Sequence, residues 1–390
     1  MAGGRRRQLG GVDRLPSSRW RVRMFDPGTG RRVSLGTFKT KAEAERAFAS
    51  ATADQQKGTW VAPEKGRVTL DDYVWQWLDT RLTPRGERLR PKTRELYEGF
   101  LRLHILPTLG PVPLARLTTA GIRSWHAGLL ADGPGASSVA KCYRLLRTIL
   151  NTAVEDSLIV ANPCTIKGAG VEPAEERLLP TLAQVGGLAA EVQPQFRALV
   201  LLAAFGGLRR GELLGLTRRD IDLLHRTVTV RVQRQETKGG HHLVGPPKTD
   251  AGRRTLVLPA SLIPEIEGHL DEWVGPEPDA PIFAGKHGGP VRVVTWQREW
   301  TRARKALGLE GVRLHDLRHV AGTMAAATGA STKELMHRFG HASPRAALRY
   351  QHATAERDEA IADGIDRILE VSQRDGEADT NVIRFRDAGG

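Results

Sequence analysis

The sequence predicts an α+β multidomain protein, which consists mainly of helices and also contains small antiparallel sheets. Its 390 residues exceed what one ordinary hydrophobic core supports, so two or three domains are expected. Apolar residues recur at strand spacing in some stretches and at helical spacing in others, and the two kinds of stretch are grouped in blocks along the chain. Segments rich in glycine and proline between the blocks, at 58–66 and 167–173, mark the expected linkers.

The charge balance indicates a polyanionic partner. The chain has 58 Lys and Arg against 44 Asp and Glu, a net charge of +14. Nucleic acid is the commonest partner of so basic a protein, although some soluble proteins are simply basic. Neither Cys142 nor Cys164 stands in a spacing typical of zinc sites or disulfide frameworks. Because the chain has no long apolar run and no apolar signal core, we expect a cytoplasmic protein.

Residues 1–67 form a small basic module, with 15 Lys and Arg against 6 Asp and Glu. Its first clear strand has two different faces. The apolar face consists of Trp20, Val22 and Met24, and the basic face consists of Arg19, Arg21 and Arg23. A turn at 26–30 and a strand at 31–38 complete a hairpin, and Thr40 with Glu43 forms a capping box for a helix. Three arginines on one strand face repel each other, so we favour a DNA major groove as their ligand. A solvated hairpin without a ligand is the alternative.

Residues 68–165 are predicted to form a four-helix unit with its own core. The helices are expected from Thr69 onward, at about Thr93 to Ile105, at about Thr119 to Leu130, and at about Ser137 to Asp156. The second helix should stop before Pro107, because the residue that precedes a proline disfavours the helical conformation. Lys141 and Arg144 on the last helix are candidate phosphate contacts, or else solvated basic residues.

The candidate catalytic residues lie beyond residue 176. A buried helix at 196–205 is followed by a helix on which Arg209 and Glu212 share a face, so the carboxylate could orient the guanidinium. A surface ion pair is the alternative. Strands at 227–232 and 253–258 flank a segment that places Lys248 on a hairpin loop. There Lys248 could reach a phosphate, or be an ordinary surface lysine.

The last third of the chain adds two histidines, an arginine and a tyrosine. His315 and Arg318 are three residues apart on one helix, His341 follows the end of the next helix, and Tyr350 is the only tyrosine beyond residue 143. Arginine forks hold a phosphate by paired charged hydrogen bonds, histidines complete the cage or move protons, and a phenol is a potential nucleophile. This set predicts attack of a phenolic oxygen on a phosphodiester. The usual alternative for Tyr350 is a place in the core.

At these residues the chain resembles the tyrosine recombinase family, specifically the phage-type integrases. The segments GLRRGEL, HDLRH, GH and RYQH resemble the motifs of that family, and Lys248 lies where the family carries a lysine on a β-hairpin. The resemblance implies a catalytic set supported by Glu212, consisting of Arg209, Lys248, His315, Arg318, His341 and Tyr350. It also implies four regions: an arm-type DNA-binding domain with a three-stranded sheet and a helix at 1–66, a core-binding helical domain at 67–165, a catalytic domain at 176–372 and a disordered tail at 373–390.

The resemblance further implies a site-specific DNA recombinase that integrates or excises a mobile element through a 3′-phosphotyrosine intermediate. Arg209 and Arg318 would stabilise the transition state, Lys248 would protonate the leaving 5′-oxygen, and His315 is the favoured base for Tyr350. Neither a metal nor ATP would be needed. The implied partners are double-stranded DNA with core-type and arm-type attachment sites, three further protomers in a homotetramer, a directionality factor and a DNA-bending host protein. The expected location is the bacterial cytoplasm, in association with the nucleoid.

Three further points remain open in the sequence. A type IB topoisomerase uses similar tyrosine chemistry, but a second DNA-binding domain has no use in the relaxation of supercoils. A non-enzymatic DNA-binding regulator explains the net charge, yet it leaves the ordered set from Arg209 to Tyr350 without a purpose. A helix predicted at about 356–371 either packs on its own domain or, as the resemblance suggests, docks on a neighbouring protomer.

Overall fold

The computed structural model describes residues 10–27, 29–58, 60–62, 64–173, 179–237, 240–247, 250–350, 359 and 362–367. The chain divides into two compact units, residues 1–176 and 177–390. Within the described ranges, no helix is both long enough and apolar enough to cross a membrane.

The first unit begins with a three-stranded antiparallel sheet and one helix. The strands follow each other in the order β1 (Gly10–Arg14), β2 (Trp20–Phe25) and β3 (Arg32–Phe38). Helix α1 (Lys41–Gln56) begins with the predicted capping box, in which the Thr40 side chain accepts from the backbone of Glu43. The predicted apolar face of β2 is confirmed, since Val22 and Met24 are fully buried.

The basic face of this sheet contains its own counter-ion. Asp13 on β1 forms ion pairs with Arg21 and Arg23 on β2, and Arg19, just before β2, donates to the Thr37 carbonyl at 3.2 Å. The mutual repulsion of the arginines is therefore relieved within the protein. The repulsion between these arginines is therefore not evidence for an external anion. DNA binding by this face of the sheet stays a prediction.

The rest of the first unit is helical and contains a separate core. Its helices are α2 (Leu70–Thr80), α3 (Pro91–Phe100), α4 (Leu106–Leu109), α5 (Thr119–Asp132) and α6 (Ala136–Glu155). The apolar stripe predicted on α6 is buried over its whole length, and it consists of Val139, Tyr143, Leu146, Ile149, Leu150 and Ala153. Trp77 of α2 packs in the same cluster and donates its indole N–H to Thr152 at 3.1 Å.

One predicted helix end in this unit is wrong, because the helix does not stop before Pro107. A π-helical turn, Leu101–Ile105, joins α3 to α4, and the Leu106 N–H bonds to the Leu101 carbonyl. Pro107 is consequently the second residue of α4. A proline is tolerated in the first turn of a helical segment, because its missing N–H removes no hydrogen bond that the segment itself would make.

The second unit is mainly helical with two small antiparallel sheets. Its helices are α7 (Leu182–Glu191), α8 (Pro194–Phe205), α9 (Arg210–Leu213), α10 (Ile263–Trp273), α11 (Val293–Ala306), α12 (Leu314–Ala327), α13 (Thr332–Phe339) and α14 (Pro344–Leu348). Its strands are β4 (Ile221–Asp222), β5 (Thr227–Val230), β6 (Gln233–Glu236), β7 (His242–Gly245) and β8 (Arg254–Val257). One sheet has the order β4-β5-β8, and the other pairs β6 with β7.

The predicted pairing of the strands that flank Lys248 is confirmed, with Thr227 opposite Val257. The segment between them contains an additional hairpin, β6-β7, which ends the predicted 227–232 strand early at Val230. Lys248 itself lies outside the described residues. Of the helix predicted at about 356–371, the described residues 359 and 362–367 are helical.

Helix α8 lies at the centre of the second unit. Its residues 198–204 are buried, and it packs against α7, α10 and α12. A tight turn follows, in which Gly207 has a φ of +67° and a Cβ there would lie 2.3 Å from the Phe339 ring. This turn delivers Arg209 to the start of α9, next to the end of α13. The core therefore brings together segments that are more than a hundred residues apart in the chain.

Candidate active site

Helix α12 presents one face to the candidate site. His315, Arg318, His319 and Gly322 are spaced i, i+3, i+4 and i+7 on it, which places them on the same side. A Cβ at Gly322 would lie 2.6 Å from the Tyr350 ring. Only glycine at this position therefore lets the tyrosine ring lie directly against the helix.

Arg318 is the buried centre of the site, with 1% of its surface exposed. Its guanidinium donates to the carbonyls of Gly207 and Phe339 and lies 3.1 Å from Nε2 of His341. Burial and the nearby charge of Arg209 lower the pKa of Arg318 to about 9, which leaves the side chain charged at neutral pH. A buried cation of this kind is strongly complementary to a phosphate.

Arg209 is held at the edge of the site by the predicted carboxylate. Its Nη1 lies 2.7 Å from Glu212, and its Nη2 donates to the Gly340 carbonyl at 3.1 Å. About a third of the side chain is exposed, whereas Glu212 is 2% exposed. The guanidinium is thus fixed in orientation while part of it faces solvent.

Arg254 is a buried member of the same network, and it is not among the site residues predicted from the sequence. It binds Glu212 through both terminal nitrogens, at 3.3 and 2.9 Å, and donates through Nε to the Arg338 carbonyl at 2.8 Å. A signal was present in the sequence: Arg254 alternates with Leu256 and Leu258 on the buried face of a strand. A charge on such a face requires a buried partner.

Removal of the negative charge of Glu212 is expected to destabilise the second unit strongly. Burial raises the pKa of Glu212, but the hydrogen bonds and charges of Arg254 and Arg209 outweigh it, so the pKa is below its ordinary value. Glu212→Gln would leave two guanidinium groups without their counter-ion, one of them fully buried. A broken buried pair costs about 3–5 kcal/mol, and urea unfolding monitored by tryptophan fluorescence would measure the loss.

The matched control for this substitution is Glu265→Gln. That carboxylate binds Arg197 at 2.7 Å at the surface, and such exposed pairs contribute less than about 1 kcal/mol. The stability that Glu212 provides should be complete above its unfolded pKa near 4.5 and should be lost as the pH falls through its lower folded pKa. Equal losses from the two variants would contradict a structural role for the network.

Two histidines of the site are neutral at physiological pH. Burial and the charges of Arg318 and Arg209 lower the pKa of His341 to about 4. Burial, His319 and Arg318 do the same to His315, whose pKa is also about 4. Each ring can then donate one N–H and accept at the other nitrogen. The Nδ1 atom of His341 is buried without a hydrogen-bond partner among the described residues.

Tyr350 lies inside the site of its own chain, with 6% of its surface exposed. Its ring stacks on His341 with 6.0 Å between centroids and 20° between planes. The hydroxyl lies 3.0 Å from Nδ1 of His319, four residues after the favoured base His315. Burial raises the pKa of Tyr350, and the charges of Arg318, Arg349 and Arg209 lower it only in part. The phenol is therefore protonated at neutral pH.

The predicted site residues are thus brought together to different degrees. Arg209, Glu212, His315, Arg318, His341 and Tyr350 form one cluster. Lys248 is not among the described residues. Within the described part of the chain, no group of three or more His, Cys, Asp or Glu is arranged to hold a metal ion.

The two candidate phosphate contacts on α6 are already paired. Lys141 lies 3.1 Å and Arg144 lies 2.6 Å from Glu172, and Arg144 also donates to the Gly170 carbonyl. The hydrogen bonds that Glu172 accepts from Ser137, Arg144 and Lys141 lower its pKa to about 2. This carboxylate offsets part of the positive charge on α6, so DNA contact by Lys141 and Arg144 stays a prediction.

Two protein-family models match the chain. One covers part of the helical core of the first unit, and the other covers the clustered site of the second unit. The phage integrase family matches residues 181–357, and the N-terminal SAM-like domain of phage integrases matches residues 69–130. The prophage phiRv2 integrase of Mycobacterium tuberculosis H37Rv is 35% identical over 94% of this chain and 97% of its own length. The chain belongs to the phage integrase family.

Solved integrase structures share the fold of this integrase. The Tn1549 transposon integrase, in complex with circular intermediate DNA, has a TM-score of 0.64 at 22% identity and covers 75% of this chain and 98% of its own. A lambda integrase tetramer bound to a Holliday junction has a TM-score of 0.55 at 21% identity over 87% of this chain and 94% of its own. The integrase is a tyrosine recombinase, an enzyme that breaks and rejoins DNA. Membership of this family excludes the non-enzymatic regulator and favours recombination over supercoil relaxation.

Proposed function

We propose that Tyr350 attacks a DNA phosphodiester, forms a 3′-phosphotyrosine link and frees a 5′-hydroxyl. The observation that carries the proposal is the position of the phenol, which stacks on His341, a direct neighbour of the buried Arg318 guanidinium. A phosphate attracted to Arg318 would lie beside the nucleophile. Tyr350 and Arg318 are both buried, so the site has to open before a phosphate can enter. The short distance between the two side chains then favours a productive geometry.

The other residues of the cluster have roles that follow from their charge and protonation. Arg209 and Arg318 stabilise the charge that develops on the non-bridging oxygens, and neutral His315 and His341 donate N–H groups to the same oxygens. Lys248 protonates the leaving 5′-oxygen as general acid. Because the phosphotyrosine ester retains the bond energy of the cleaved strand, religation requires neither ATP nor a metal.

The remaining parts of the chain bring DNA to this site. Residues 1–66 form an arm-type DNA-binding domain, residues 67–165 a core-binding domain, residues 176–372 the catalytic domain, and residues 373–390 a tail. The substrate is double-stranded DNA with core-type and arm-type attachment sites, and Arg19, Arg21, Arg23, Lys141 and Arg144 contact it. The lambda structure named above supports a tetramer on DNA. A directionality factor and a DNA-bending host protein complete the complex at the nucleoid.

The test is covalent capture of the cleaved strand. Nicked duplexes that tile the DNA flanking the gene are incubated with the protein in chelator without ATP, and the products are separated on a denaturing gel. We expect a protein–DNA adduct at one duplex, and mass spectrometry should locate the nucleotide on the tryptic peptide 350–357. An adduct on another peptide, or one that requires a divalent metal, would refute the assignment.

A further inference from the structure

His319 lies within hydrogen-bond distance of the nucleophilic oxygen of Tyr350, and it is not a member of the proposed catalytic set. Its Nδ1 lies 3.0 Å from the Tyr350 hydroxyl, and the two rings are 5.6 Å apart. The contact spans 31 residues of sequence and joins α12 to the turn after α14. Gly322, one turn further along α12, provides the space against which the tyrosine ring rests.

The nucleophile needs a proton acceptor, because burial keeps the phenol of Tyr350 protonated at neutral pH. A general base must lie within hydrogen-bond distance of the proton that it removes, about 2.6–3.2 Å between heavy atoms. His319 meets this condition. The Nε2 atom of His341 is occupied by Arg318, and the ring of His315 lies edge-on against that of His319, with 4.9 Å between centroids.

We propose that His319 is the catalytic base of this recombinase, and that its Nδ1 takes the phenolic proton as Tyr350 attacks phosphorus. The inference rests on the proposed function and extends it by one residue. In the step, the O–H bond of the phenol breaks and an N–H bond forms at Nδ1. The new O–P bond forms as the bond from phosphorus to the 5′-oxygen breaks, and that oxygen takes its proton from Lys248. Religation reverses each transfer, and His319 returns the proton to the departing tyrosine oxygen.

The charges around His319 link this proton transfer to the presence of DNA. Arg318 is positively charged and lies next to it on α12, and the charge of Arg209 acts on the neighbouring rings of His315 and His341. Three neutral groups also face it: His315 on α12, His341 from the residue after the α13 C-cap, and Tyr350 from the turn after α14. The scissile phosphodiester brings a negative charge next to the pair of Tyr350 and His319, and that charge stabilises the imidazolium that forms as the proton is transferred. The proton transfer is therefore coupled to the arrival of the phosphate.

The first test separates proton acceptance from simple hydrogen bonding. In His319→Asn, the side-chain oxygen takes approximately the place of Nδ1 and can accept the hydrogen bond, but it cannot hold a proton. We expect unchanged DNA binding, single-turnover cleavage of a nicked suicide substrate lowered about 100-fold or more, and loss of the decline in rate at acid pH. His337→Asn, at an exposed histidine in the last turn of α13, is the matched control and should behave as wild type.

A second test restores the reaction without the base. Replacement of Tyr350 by 3,5-difluorotyrosine lowers the pKa of the phenol, and it should raise the cleavage rate of His319→Asn at least tenfold while changing that of His337→Asn much less. Such a rescue shows that the Asn variant is folded and lacks only a proton acceptor. His319→Gln is the second variant if His319→Asn unfolds at the assay temperature.

Two results would overturn the inference. Cleavage by His319→Asn within threefold of wild type would show that the contact only positions the phenol, and faster cleavage would show that His319 restrains it. Either result, with the adduct still on Tyr350, leaves the proposed function intact. If the wild-type protein forms no adduct on Tyr350, the proposed function itself fails.

Discussion

Tyr350→Phe is expected to abolish the covalent protein–DNA adduct and to leave DNA binding unchanged. The substitution removes only the phenolic oxygen, while the ring keeps its contacts with His341 and Gly322. Loss of the hydrogen bond to His319 costs about 1 kcal/mol, too little to unfold the protein. Mobility shift on a native gel would measure binding, and a denaturing gel would measure the adduct.

The control for the loss of the hydroxyl is Tyr97→Phe. Tyr97 belongs to the helical core of the first unit, where its ring lies 6.4 Å from that of Trp77. This variant should bind and cleave as wild type does. Adduct formation by Tyr350→Phe would place the nucleophile on a different residue.

Arg318→Lys is expected to reduce strand cleavage by about 10²–10³-fold, although the formal charge is retained. A lysine cannot reproduce the planar fork that binds the Gly207 and Phe339 carbonyls and reaches His341. It would therefore stand in a different orientation toward the phosphate, and removal of one such preorganised donor has a cost of this size. Single-turnover cleavage at saturating protein measures the effect apart from DNA affinity.

Arg338→Lys is the matched control for this fork. Arg338 also donates to two backbone carbonyls, those of Val257 and Phe205, but from outside the clustered site. Its replacement should lower stability without a comparable loss of cleavage rate. A cleavage rate for Arg318→Lys within tenfold of wild type would contradict a direct contact between Arg318 and the scissile phosphate.

Local signals in the sequence predicted the elements of the fold well. The capping boxes at Thr40 and Ser331 begin helices in the structure, and the helical stripe on α6 is buried. These signals act over a few residues, so the chain around them carries all the information that they need. The helix end expected before Pro107 failed because a π-helical turn places that proline in a new first turn.

The contents of the site were predictable to a lesser extent. Arg209, Arg318, His341 and Tyr350 were identified from their order along the chain, and the structure brings them together. The places of Arg254 and His319 in the site were not predicted. Their contacts are with residues 42 and 31 positions away in the chain, and no local pattern indicates such partners. The ion pairs of Arg23 with Asp13 and of Arg144 with Glu172 were likewise not predicted from the sequence.

The sequence by itself determined most of the helices and strands, that the protein is strongly basic, and which side chains have the chemistry to bind and attack a phosphate. Only the tertiary structure decided which carboxylate holds which guanidinium, and which histidine meets the phenol. The physical reason is range: periodicity and capping are local, whereas contacts such as that between Tyr350 and His319 are made by the packing of α12 against distant parts of the chain.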